Sequence, residues 1–152
     1  MRASRCGKTT EAKRPAAELR AVRLSPDEWL ADLGFDVFDE PARDRVEGRL
    51  WTLAEELLAA RTAVVILENG FWSREERDGR RLRARSLGLE IELRYLALPS
   101  AELHQRVAAR NLQPGAPVIT PEMLTEYEAL FEVPTAAELA LFDPPLGQPG
   151  ST

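Results

Sequence analysis

Gly7-Lys8-Thr9-Thr10 has the residue types and spacing of the end of a phosphate-binding loop, G-x-x-x-x-G-K-[ST]. In such a loop backbone N–H groups surround the phosphates, the lysine neutralises them, and the Ser/Thr hydroxyl holds Mg²⁺. Gly7, Lys8, Thr9 and Thr10 are therefore candidate phosphate contacts. The same four residues also suit a polar helix start. Two acids follow apolar stretches: Asp27 after Ala21–Leu24, and Glu68 after Ala63–Leu67. Asp27 also suits the first turn of a helix, where the dipole favours a negative charge. Glu68 also suits a polar strand end. Arg106 and Arg110 are four apart, so on a helix they share a face. A planar guanidinium binds phosphate in two places, but two arginines at this spacing equally describe a solvated face.

The elements that must position these residues alternate. Residues 9–20 read as a helix interrupted by Pro15, and Ala21–Leu24 as a short strand. Ser25, Pro26 and Glu28 have the pattern of a capping box. A long amphipathic helix is expected from about Glu40 to Arg61, with Val46, Leu50, Leu53 and Leu57 at helical spacing. Ala63–Leu67 reads as a strand buried on both faces, as in a parallel sheet. Ser73 and Glu76 give a second capping box, opening an arginine-rich helix that Gly88 stops. Residues 90–97 read as another strand, and Pro99 starts a helix to about Asn111 with Leu103 and Val107 on one face. Leu112–Ile119 contains two prolines and a glycine and reads as a loop. Thr120-Pro121 starts a helix with Met123, Tyr127 and Leu130 inward, and Thr135 with Glu138 gives a last capping box. Strand, helix, strand, helix in this order implies an α/β fold with a parallel sheet. Ligands of such sheets bind at the carboxyl ends of the strands, where Asp27 and Glu68 fall.

Other candidates carry a structural reading first. Arg74, Arg77, Arg80, Arg81, Arg83 and Arg85 are interleaved with Glu75, Glu76 and Asp78, as on a solvated helix. Arg74 and Arg77 lie nearest the sheet edge and could meet an anionic substrate. Trp29, Trp51, Trp72, Phe35 and Phe71 suit a core, with Trp72 a possible wall of an acceptor pocket. His104 has no evident partner, and Cys6 sits beside the loop.

The chain has 152 residues, 44% of them apolar, and a net charge of −5. That length bounds it to one domain. The acidic balance argues against nucleic acid as a partner. The single cysteine rules out an internal disulfide framework and fits a reducing compartment. No stretch approaches the roughly 20 apolar residues of a membrane span, so the expected location is the cytoplasm.

The blocks taken together resemble the P-loop kinase-like ATP-binding proteins, small AAA-type proteins related to zeta toxins, chloramphenicol phosphotransferase and gluconate kinase. The resemblance spans nearly all of residues 7–143. It rests on Gly7-Lys8-Thr9-Thr10, on Val22-Arg23-Leu24-Ser25-Pro26-Asp27-Glu28-Trp29, on Val64-Val65-Ile66-Leu67-Glu68 with Gly70-Phe71-Trp72-Ser73-Arg74, on Arg106 with Arg110-Asn111, and on Ile119-Thr120-Pro121-Glu122-Met123. It implies a three-layer α/β P-loop domain over residues 1–143, a parallel sheet flanked by helices, with a flexible tail at 144–152. It further implies binding of ATP with Mg²⁺ and transfer of the γ-phosphate to a small-molecule hydroxyl. In that scheme Lys8 neutralises the phosphates, Thr9 and Glu68 hold Mg²⁺, Asp27 contacts the acceptor hydroxyl, and Arg106 and Arg110 clamp the phosphate in transfer. A toxin-type kinase acting on a nucleotide sugar, paired with a protein antitoxin, is a further reading that the resemblance implies.

The front of the chain departs from that pattern. No apolar strand precedes the loop, and Arg2 and Arg5 stand at glycine positions. Arginine opposes both the positive φ and the close backbone approach that glycine allows. Pro15 falls where the first helix continues, at a cost of about 3 kcal/mol. The expected fold therefore lacks its first strand, and an inactive fragment or pseudoenzyme without nucleotide binding is the alternative. In GC-rich codons a one-base shift turns Arg2-Ala3-Ser4-Arg5-Cys6 into Gly-Pro-Pro-Gly-Ala, an ordinary loop start, so a frameshift or misassigned start is a further expectation.

Overall fold

The computed structural model describes residues 21–61 and 64–145. The expected helix over 9–20, the loop Gly7–Thr10, and Arg2, Arg5, Cys6 and Pro15 lie outside the described residues, as does the tail from 146 on. The described chain falls into two compact units. The first comprises residues 21–70 with Leu98–Glu128, the second Phe71–Ala97 with residues 129–145.

The first unit is built on two short parallel strands, β1 (Val22–Leu24) and β2 (Val65–Leu67), with Val22 opposite Val65 and Leu24 opposite Leu67. The ladder is extended at both ends: Val22 N–H donates to the Val64 carbonyl at 2.8 Å and Glu68 N–H to the Leu24 carbonyl at 3.0 Å. Side chains alternate across a strand. One face carries Leu24, Val65 and Leu67 onto Leu50 and Ala54 of helix α2 (Glu40–Ala59), with Val46 and Leu53 packed around them. The other face therefore carries Arg23, Ile66 and Glu68. Val65, Ile66 and Leu67 are half-buried rather than enclosed on both faces. A fully buried parallel strand needs neighbours on both edges, and β2 has one among the described residues.

Helix α1 (Pro26–Asp32) follows β1 directly. The expected capping box does not form: Ser25 makes no side-chain cap and is buried, while the Glu28 carboxylate goes to Arg23. The helix stops at Gly34, whose φ of +75° allows Gly34 N–H to reach the Ala31 carbonyl and Phe35 N–H the Leu30 carbonyl. Trp29 and Phe35, expected in the core, are 39% and 48% exposed. Trp29 lies off the narrow stripe of α1 that Pro26 and Leu30 bury, and Phe35 lies past the end of that helix. Helix α2 is capped by Asp39, which accepts from Ala42 N–H at 2.9 Å. It ends at Ala59, just before Arg61 takes a left-handed φ of 51°.

Helix α4 (Ser100–Asn111) buries Leu103 and Val107, as its spacing predicts. The loop 112–119 returns to its C-terminus, where Asn111 acts as a clip. Its Nδ2 donates to the Ile119 carbonyl at 2.7 Å and its Oδ1 accepts from Ile119 N–H at 3.1 Å. Helix α5 (Pro121–Leu130) buries Leu124 and Tyr127; Met123 is only half-buried and Leu130 is 52% exposed, against expectation. The buried stripe of α5 is made by Leu124 and Tyr127, which share an i, i+3 face.

The second unit contains helix α3 (Arg74–Ser86) and the short helix α6 (Ala136–Leu139). Ser73 caps α3 by accepting from Glu76 N–H at 3.1 Å, and the Glu76 carboxylate answers by accepting from Trp72 N–H at 3.0 Å. Gly88, at φ +68°, ends α3 as predicted, with Leu89 N–H on the Ala84 carbonyl. Among the described residues, 90–97 form no ladder, a correction to the expected strand. A strand exists through its neighbours, and none pairs with this segment among the described residues. Instead the Ile91 backbone bonds Asp143: its N–H donates to Oδ2 at 2.7 Å and its carbonyl accepts from Asp143 N–H at 2.9 Å.

The arginine run of α3 is not uniformly solvated. Arg77 is 2% exposed and Glu138 1%. Arg77 Nε lies 2.5 Å from Glu138 Oε1, and Nη2 lies 3.1 Å from Oε2. Its Nη1 donates to the Phe71 carbonyl at 2.9 Å, and its guanidinium lies 5.9 Å from the Phe131 ring centre. Arg77 is thus a structural tie rather than a free contact for an anionic substrate. Thr135 caps α6 through Glu138 N–H, but the Glu138 carboxylate serves Arg77 instead of completing a capping box.

Candidate functional site

The two adjacent strands of the first unit end on the two candidate acids. Glu68 directly follows β2, and its N–H continues the ladder. Asp27 lies in the first turn of α1, three residues past β1. In an open parallel sheet this edge is the ligand-binding one.

Each acid is held by an arginine that sequence reasoning passed over. Arg23, projecting from β1 on the same face as Glu68, donates from Nη1 to Glu68 Oε1 at 2.7 Å. Its Nη2 pairs with Glu28. The Glu68 side chain is only 5% exposed, that of Arg23 16%. Burial works against the Arg23 charge, but the hydrogen bonds to Glu68 and Glu28 outweigh it and raise its pKa above the ordinary arginine value. Arg43 of α2 donates to Asp27 Oδ1 at 2.6 Å, to Glu47 Oε1 at 3.0 Å and to the Val37 carbonyl at 3.2 Å. Arg43 is itself buried, so Asp27 is oriented by a group that α1, α2 and the turn between them fix jointly. Arg23 also holds Glu28, the residue after Asp27, so the first turn of α1 carries one member of each of two ion-pair groups.

A charged residue flanked by Val22 and Leu24 on a strand was the one sequence signal for Arg23. For Arg43 the signal was weaker: an i, i+4 relation to Glu47 inside an amphipathic helix.

Arg106 and Arg110 share a face of α4 but are committed locally. Arg106 is paired with Glu102 one turn away. Arg110 Nη2 donates to the Pro117 carbonyl at 3.3 Å. Its Nη1 is buried and has no hydrogen-bond partner among the described residues. A buried guanidinium nitrogen without an acceptor is costly, and an anion such as a phosphate is the chemistry that would satisfy it. Asn69, next to Glu68, is 7% exposed and its Oδ1 likewise lacks a donor among the described residues. His104, for which the sequence offered no partner, lies with Nε2 3.4 Å from Glu128 Oε2, which Ser100 Oγ also reaches at 3.2 Å.

The fit to the expected cofactors divides. The orphaned Arg110 nitrogen fits a phosphate-bearing ligand. The nearly buried Glu68 carboxylate already accepts from Arg23, so a divalent cation bound directly at Oε1 would compete with that guanidinium. Among the described residues no cluster of three His, Cys, Asp or Glu side chains could hold a metal. Gly7, Lys8, Thr9 and Thr10 lie outside the described residues. No helix among the described residues is long and apolar enough to cross a membrane.

A family model described as an AAA domain matches residues 3–134, a span that includes Gly7–Thr10, Asp27, Glu68, Arg106 and Arg110. No curated protein matches the chain.

Proposed function

Because the chain belongs to the AAA domain family, we propose that it binds ATP and transfers the γ-phosphate to a hydroxyl group of a small molecule. The family implies a P-loop NTPase fold, and the small parallel sheet with its flanking helices is consistent with that. The observation that carries the reading is the placement of Asp27 just past the carboxyl end of β1, in a parallel pair of strands. In the three-layer domain proposed over residues 1–143, Gly7, Lys8, Thr9 and Thr10 take the phosphates, and Thr9 would hold the Mg²⁺ that accompanies the nucleotide.

Phosphoryl transfer asks a protein for position and charge neutralisation more than for covalent help. The acceptor oxygen bonds the γ-phosphorus, the bond to the bridging oxygen breaks, and its electron pair leaves on ADP. The acceptor proton goes to Asp27, whose carboxylate Arg43 keeps aimed. Arg110 offers its unpaired Nη1 to the transferring phosphate. Arg106 joins it by leaving Glu102, an exposed i, i+4 pair worth only about 0.3–0.5 kcal/mol. Glu68 takes no part in this step.

The test is ATP consumption and phosphorylated product measured over a panel of hydroxyl compounds. Asp27→Asn is expected to lower transfer about 100-fold, the usual contribution of a positioned acid or base, with nucleotide affinity unchanged. Equal turnover by the variant would remove Asp27 from the mechanism. A second reading, nucleotide binding without transfer, is favoured by the pairing of Glu68 with Arg23, and ATP binding with no product from any acceptor would establish it.

A further inference from the structure

We infer that Arg23 is the resident counter-ion of Glu68, and that a divalent cation reaches this carboxylate only by displacing the guanidinium. The two side chains come from adjacent strands in fixed register, Arg23 opposite Ile66 and Glu68 two residues beyond it. Both project on the sheet face away from Leu50 and Ala54. The backbone therefore delivers them to each other without any loop having to close. Nη1 lies 2.7 Å from Oε1, the distance of a charge-assisted hydrogen bond. Glu68 has only 5% of its side chain exposed, so its charge needs a partner inside the protein. An arginine supplies that partner permanently, since it does not deprotonate in proteins.

Metal and guanidinium compete for the same carboxylate. Mg²⁺ binds oxygen at about 2.0–2.1 Å and demands a near-octahedral shell. Coordination by Oε1 would require Nη1 to withdraw. Coordination by the other oxygen would leave a dication and a guanidinium on one carboxyl group, in a place where water screens them poorly. Arg23 has somewhere to go: Nη2 already holds Glu28, which is 47% exposed at the edge of the site. The Arg23 side chain can thus rest on Glu28 when Glu68 is taken, at the loss of its better-buried bond.

The pairing is between two described residues and forms without nucleotide. The experiment accordingly omits nucleotide and uses Mn²⁺ as the probe, followed by the electron paramagnetic resonance signal of the free ion. Wild type and Glu68→Gln are expected to bind Mn²⁺ equally, within twofold. Arg23→Gln is expected to bind at least tenfold tighter than wild type, and Arg23→Gln/Glu68→Gln to lose that gain. A tenfold loss on Glu68→Gln in the presence of Arg23, or no gain on Arg23→Gln, overturns the inference. Should Arg23→Gln not fold, the thermal midpoint of Glu68→Gln decides. A drop of equal size in EDTA and in Mg²⁺ supports the pair. A drop confined to Mg²⁺ shows that a metal held the carboxylate.

Discussion

Replacing Glu138 by glutamine is expected to be among the most damaging single changes in the second unit. The Arg77 and Glu138 side chains are 2% and 1% exposed and meet through two parallel contacts at 2.5 and 3.1 Å. Arg77 also donates to the carbonyls of Phe71 and Trp72 and lies against the Phe131 ring. It therefore joins the start of the unit, helix α3 and helix α6. Removing one charge strands the other where water does not reach it, which costs about 3–5 kcal/mol. Replacing both with apolar residues of similar volume, Arg77→Met with Glu138→Leu, removes the stranded charge. It leaves the Phe71 carbonyl without its donor, a loss of about 1–3 kcal/mol. The Trp72 carbonyl keeps Glu132 N–H at 2.9 Å. The double variant is thus expected to be less destabilised than either Arg77→Met or Glu138→Leu alone, so the coupling exceeds the smaller single-variant loss of about 3 kcal/mol. Urea unfolding of wild type, Arg77→Met, Glu138→Leu and the double variant, followed by tryptophan fluorescence, measures the cycle, with Glu138→Gln unfolded alongside. A Glu138→Gln variant within about 1 kcal/mol of wild type would refute the reasoning, because no buried ion pair of this geometry breaks so cheaply.

Three further outcomes follow from the same contacts. The hydrogen bond from Arg77 holds the Glu138 carboxyl below its ordinary value of 4.5, against the opposing effect of burial. A depressed folded-state pKa gives stability that is present above 4.5 and is lost as pH falls through the folded-state value, so Glu138→Gln should flatten the acid limb of a stability-against-pH curve. Asp143 behaves alike, its carboxyl lowered by Arg85 and then by Ile91 N–H, and Asp143→Asn should speed hydrogen exchange at the Ile91 amide. Asn111→Ala removes both bonds to Ile119 and is expected to cost about 1–3 kcal/mol in urea unfolding, with the Ile119 amide losing its exchange protection.

Local signals carried most of the fold. The apolar run Ala63–Leu67, of which Val65–Leu67 forms the strand, the helix patterns from Pro26 onward and the stop at Gly88 are written in adjacent residues, and among the described residues each has its element. What failed depends on distant partners. Residues 90–97 have strand-like residues, but a strand is made by a neighbour's ladder, and Asp143 takes the Ile91 backbone instead. Ser25 and Glu28 have the spacing of a capping box, yet Arg23 on the preceding strand takes the glutamate. Nothing in the arginines of α3 singles out Arg77; Glu138, sixty-one residues later, does. The acids of the candidate site, Asp27 and Glu68, were legible because they end apolar strands. Their arginine partners were not, since which cation reaches a given carboxylate is decided by register and helix packing.

The central claim, that this AAA domain binds ATP through Lys8, is tested most directly by calorimetric titration of MgATP into the full chain and into Lys8→Ala. Binding at micromolar concentration that Lys8→Ala weakens at least tenfold is the result this account predicts. No heat of binding in either protein, or equal affinity in both, would contradict it.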